Sequence, residues 1–151
     1  MRRILLAVVI VALALVAPVS AAGTVTQTHY TIGNIRKIVF TCTADASDGS
    51  FPSTALTAKI EGRLIALETD PGSTAPTDNY DIAITNGAGA DVLQGLGANR
   101  DTANTETAQI VVSGTSLRPT VDESETLTLA ITNNSVNSAT IVITLYYALG
   151  G

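Results

Sequence analysis

Two stretches of strict alternation constrain this chain more than any other feature. In Ile35–Ala44 (IRKIVFTCTA), Ile38, Phe40 and Cys42 share one face while Val39, Thr41 and Thr43 share the other. In Thr140–Tyr147 (TIVITLYY), Ile141, Ile143, Leu145 and Tyr147 oppose Val142, Thr144 and Tyr146. A period of two with one face more apolar is the signature of a half-buried strand. Asn79–Thr85 repeats it with Tyr80, Ile82 and Ile84, and Glu125–Thr132 with Leu127, Leu129 and Ile131. Gly23–Thr31 and Gln109–Val112 read as further strands. Thr54–Thr69 alternates on both sides of Gly62, which predicts either one long strand bulged at that glycine or two strands.

Turn residues punctuate these runs at Ile32-Gly33-Asn34, Asp45–Ser53, Asp70–Ser73 and Asn133-Asn134-Ser135. Asn86-Gly87 reads as a tight hairpin turn with positive φ at both central residues, the chain returning through Asp91-Val92-Leu93. The result is seven to nine short strands at intervals of roughly ten residues, with no helical pattern after the first 22 residues. The expected fold class is all-β, an antiparallel β-sandwich of the jelly-roll or Ig-like kind over residues 23–151.

The first 22 residues stand apart. Met1-Arg2-Arg3 is basic, and Ile4–Ala17 is 14 apolar residues without a break. Pro18 follows, then the small residues Ser20, Ala21 and Ala22. This is the layout of a signal peptide cut after Ala21 or Ala22. The alternative is a retained N-terminal hydrophobic helix serving as a membrane anchor, although a spanning helix needs about 20 apolar residues. No cysteine lies near the cut, which excludes a lipoprotein anchor. Loss of Arg2 and Arg3 takes the net charge from −5 to −7. So acidic a surface argues against nucleic acid as a partner, since phosphates must be neutralised by basic side chains.

The residues that carry chemistry are sparse. The single cysteine, Cys42, lies on the apolar face of its strand, and the single histidine, His29, has no patterned link to it. A buried small residue and a surface or structural histidine are the expectations, not a nucleophile and its base. Gly87-Ala88-Gly89 and Gly95-Leu96-Gly97 lack the third glycine and the following helix of a nucleotide loop. The acidic residues Asp45, Asp48, Asp78, Asp81, Asp91, Asp101, Asp122, Glu123 and Glu125 gather in loops, which leaves calcium binding as a reading. Their spacing is not that of a calcium loop. With no Trp and four Tyr, an aromatic-lined sugar cleft with paired carboxylates is not expected. Asn133-Asn134-Ser135 matches the N-glycosylation sequon. Arg100-Asp101 is placed to pair and pin its loop. No catalytic residue, metal site or cofactor is assigned.

One segment carries a likeness. Pro76-Thr77-Asp78-Asn79-Tyr80-Asp81-Ile82, then Gly89-Ala90-Asp91-Val92-Leu93 and Gly97-Ala98-Asn99-Arg100-Asp101-Thr102, resembles small uncharacterised virion structural proteins of tailed bacteriophages. Gly23–Thr28 and Ile35–Ile38 are similar as well. The resemblance implies a non-enzymatic sandwich in a virion: a capsid decoration, head–tail or tail-associated protein. Its partners would be copies of itself or a capsid, tail or surface lattice protein, with membrane contact only through an uncleaved leader. On that reading Asp78, Asn79, Tyr80, Asn99, Arg100 and Asp101 are the interaction candidates. The leader points instead to export, to a cell-surface or filament subunit or to a secreted carbohydrate- or calcium-binding module.

Overall fold

Threonine and the β-branched aliphatics dominate the alternating runs, and their stiff side chains favour the pleated surface on which they settle. A computed structural model describes residues 21–112, 114–115 and 118–150. The hydrophobic helix expected within 1–22 falls outside these residues, apart from Ala21 and Ala22. The strands are β1 (Thr24–Ile32), β2 (Ile35–Thr43), β3 (Thr54–Ala55), β4 (Gly62–Pro71), β5 (Asp81–Thr85), β6 (Glu106–Gln109), β7 (Thr120–Val121), β8 (Thr128–Thr132) and β9 (Thr140–Leu149). They form two antiparallel sheets. The larger runs β1-β2-β9-β4-β6, with β7 also on β4, and the smaller runs β3-β8-β5. Pairing is nested: β2 with β9, β3 with β8 and β4 with β7. The first half of the chain therefore folds back on the second.

The core lies between the sheets. Ile38, Phe40, Leu64, Leu67, Ile141, Ile143 and Leu145 face in from the larger sheet, and Ile82, Ile84, Leu129 and Ile131 meet them from the smaller. These are the alternating apolar positions of the sequence, Cys42 among them. Burial pushes the Cys42 thiol up to about 12, as expected for an inert core residue.

Several boundaries differ from expectation. Residues 54–69 divide between the two sheets as β3 and β4, so the two-strand alternative holds. Gly62 opens β4, and the bulge falls later, between Leu64 and Ala66. There the Ile65 carbonyl accepts from Ile110 N at 2.9 Å, and the Arg118 guanidinium donates to it too. β4 also continues through Asp70 and Pro71, where a turn was expected, because both residues pair with β9.

Asn86-Gly87 is not the tight turn that the dipeptide suggests. Gly89, not Gly87, takes the left-handed conformation (φ 83°). Asn86 Oδ1 accepts from Ala88 N and Ala90 N, which wraps a longer loop around its side chain. The return is a single bridge, Thr85 to Asp91, followed by turns in place of a strand. β6 starts at Glu106 and β8 at Thr128. Leu127 keeps its inward orientation ahead of β8, and its carbonyl accepts Leu56 N at 2.8 Å.

Candidate functional site

The segment from Pro76 to Glu106 leads from the larger sheet into β5 of the smaller one, folds into loops and returns to the edge of the larger sheet at β6. Its two ends are closed on each other by a bridge in which Asn79 N donates to Arg100 O (3.1 Å) and Arg100 N to Tyr80 O (2.8 Å). Ile82 N then donates to Gly97 O at 2.7 Å. The backbones approach so closely that a Cβ on Gly97 would lie 2.1 Å from the Ile82 carbonyl oxygen. Only glycine fits there.

Two of the six interaction candidates prove to be internal. Tyr80 is fully buried and Arg100 is 6 % exposed. The Arg100 guanidinium donates to Thr69 Oγ1 from Nε (3.3 Å) and from one terminal nitrogen (3.1 Å), and to the Leu96 carbonyl from the other (3.3 Å). Its ion-pair partner is Glu106 at 3.2 Å, not the neighbouring Asp101. Glu106 accepts Asp101 N at 2.8 Å in turn. The Tyr80 hydroxyl, beside Thr69 and Arg100, has no well-aligned partner among the described residues. Burial pushes this phenol up to about 12. Tyr80 and Arg100 therefore tie the loops to the body and present nothing to a partner. The alternation placed Tyr80 on the apolar face. An arginine's burial leaves no such trace, because it depends on acceptors supplied by β4 and β6.

Asp78, Asn79 and Asn99 are exposed, and Asp101 is half-buried. Asn79 and Asn99 both have positive φ (63° and 53°), a conformation that asparagine tolerates better than most residues. Asp101 serves its own turn, accepting from Ala103 N and Asn104 Nδ2. Those bonds, Asn104 first, hold its carboxyl below the usual range.

Residues that sequence reading left as simple turns complete the assembly. Asp81 accepts Asn99 N on one oxygen (2.8 Å) and Asn133 Nδ2 on the other. Asn134 accepts Thr77 N at 2.8 Å and donates to Gly49 O at 2.6 Å. Ser135 N donates to Thr77 Oγ1 at 2.9 Å. Four loops, one before β3, one on each side of β5 and one after β8, are thus locked into one end of the sandwich. Beside them a hollow of about 360 Å³ is lined by Gly49, Ser50, Phe51 and residues 131–134. Asn133 is the sequon asparagine, and its amide is the one engaged by Asp81.

Most of the acidic loop residues have local partners. Asp45 accepts Ser47 N, Asp48 accepts Ser50 N, and Asp122 accepts Ser124 N. Asp91 accepts Leu93 N and Gly95 N. Each satisfies a turn's backbone donors. Among the described residues, no three His, Cys, Asp or Glu side chains gather as a metal-holding group.

The chain matches no family model, no curated protein and no solved structure.

Proposed function

We propose that this protein is a non-enzymatic structural subunit that acts by self-association or by docking on a larger protein lattice, as a virion component of the decoration, head–tail or tail-associated kind. The carrying observation is the locked loop end. Asp78, Asn79 and Asn99 project from backbone already held by Asp81, Asn134 and Arg100. A surface ordered before binding loses little entropy when a partner arrives. The nested strand order adds support. Sheets β2-β9-β4-β6 and β3-β8-β5, with Asp91 bridged beside β5, follow the jelly-roll plan, which recurs in viral capsid proteins. This second support is an analogy of fold, and sandwiches host many functions.

The second reading, an exported surface or filament subunit, rests on Met1–Ala22. Intact-mass measurement of the protein in particle, envelope and supernatant fractions of its native source separates the two. Stoichiometric recovery with particles is the expected result. A chain beginning at Ala22 or Gly23 and found only in envelope or supernatant overturns the virion reading in favour of export.

A further inference from the structure

Strand β1 ends the larger sheet, and no described strand covers its outer side. It is nine residues long and pairs with β2 without a break in register from Thr24 to Ile32. Natural edges of this length are protected by charge, proline, a bulge or a covering loop. The segment TVTQTHYTI has no Lys, Arg, Asp, Glu or Pro, although the whole chain is acidic. The exposed large apolar side chains lie at the same corner: Tyr30 (47 %), Ile32 (67 %), Ile35 (37 %) and Leu149 (39 %). Lys37 stands over the Tyr30 ring at 4.8 Å.

The edge is held ready. Gln27 Nε2 donates to Ala55 O at 2.8 Å, and Gln27 Oε1 accepts Thr57 N at 2.9 Å. His29 Nε2 lies 2.9 Å from Thr57 Oγ1. These inward-facing side chains fasten β1 to β3 and the segment after it, and its outer backbone has no partner among the described residues.

We infer that β1 pairs antiparallel with β1 of a second copy, about a two-fold axis through Thr28, joining two larger sheets into one. The inference rests on the self-association reading above and adds to the loop end a second surface, the outer edge of β1. The register is self-complementary about that axis. A two-residue hairpin turn makes Ile32 and Ile35 exchange both backbone bonds, so the even residues of β1 point their N–H and C=O groups at β2. The groups of Val25, Gln27, His29 and Thr31 then point outward. Rotation about Thr28 sets Val25 against Thr31 of the second copy and Gln27 against its His29, so every outward donor meets an acceptor. On the solvent face Ile32 meets Thr24 and Tyr30 meets Thr26, apolar on β-branched pairs that stabilise sheets. No like charges oppose each other anywhere along this pairing.

Thr28 itself would face Thr28 in a non-hydrogen-bonded pair, with Cα atoms about 4.5 Å apart. That separation suits a disulfide. The test uses the full chain, with its leader, in three variants. Thr28→Cys should cross-link to dimers under mild oxidation, whereas Thr41→Cys should not, because Thr41 is exposed but lies inside the sheet between β1 and β9. Thr28→Lys places like charges on the axis while changing only an exposed side chain. Its mass by light scattering should fall by about half, with an unchanged circular dichroism spectrum. An assembled wild type that Thr28→Lys leaves intact, with no Thr28→Cys cross-link, overturns the edge pairing and spares the self-association reading. A wild type that stays monomeric at high concentration overturns both.

Discussion

Arg100 carries more of the local structure than its place in a polar loop suggests. Replacing it with Ala removes the donors to Thr69, Leu96 and Glu106 together. Glu106 is 35 % exposed and rehydrates in part, but the Leu96 carbonyl loses its charged partner and the vacated space stays inside the fold. We expect Arg100→Ala to cost about 2–3 kcal/mol, read as a lowered urea midpoint with an unchanged slope. Arg100→Lys should recover only part of this, since one ammonium does not span three acceptors. Cys42 supplies a second test. Burial pushes its thiol up to about 12 in the fold, against about 8.5 for an unfolded thiol. Above that lower value the unfolded chain binds fewer protons, so the thiol's contribution to stability is full at neutral pH and is lost as pH rises toward the folded value. The buried phenol of Tyr80 acts in the same direction at higher pH. Urea midpoints should therefore fall between pH 8 and 10, and Cys42→Ala should flatten that fall.

The core strands β2, β4, β5, β8 and β9 were legible because each advertises a buried face, and the loops were not because their partners are remote. Asn134 looks like an ordinary turn residue, yet it joins Thr77 to Gly49. Asn134→Ala should cost about 2–3 kcal/mol, because Thr77 N, Gly49 O and Val136 N lose their partner. It should also speed amide exchange at Thr77 and Asn99 while leaving that of Phe40 and Ile143 unchanged, which would mark local opening of the loop end. The Asn86-Gly87 loop teaches the converse. The dipeptide signalled a reversal correctly, but the Asn86 side chain bonded two backbone N–H groups and set a longer loop. Local propensity located the turn, and a side chain's reach decided its type.

Across the molecule, β9 is the element on which the larger sheet depends. It is ten residues long and pairs with both β2 and β4. Its inward residues bear the core, while on the outer face Val142 and Tyr146 are half-buried and Thr144 is buried. Ile143→Ala should cost about 3–4 kcal/mol, and the adjacent Val142→Ala about 1, measured by denaturant titration. Equal costs would mean that the outer face is covered in the assembled protein.

Alternation in the sequence determined the all-β class, the inward set Ile38, Phe40, Cys42, Ile141, Ile143 and Leu145, and most strand positions, because a period of two needs only neighbouring residues to express it. Tertiary structure alone decided the nested pairing, the division of residues 54–69 between two sheets, and the burial of Arg100 among acceptors from distant segments. Those outcomes depend on which strands meet, and a hydrogen bond across 31 or 85 residues leaves no periodic mark on either partner.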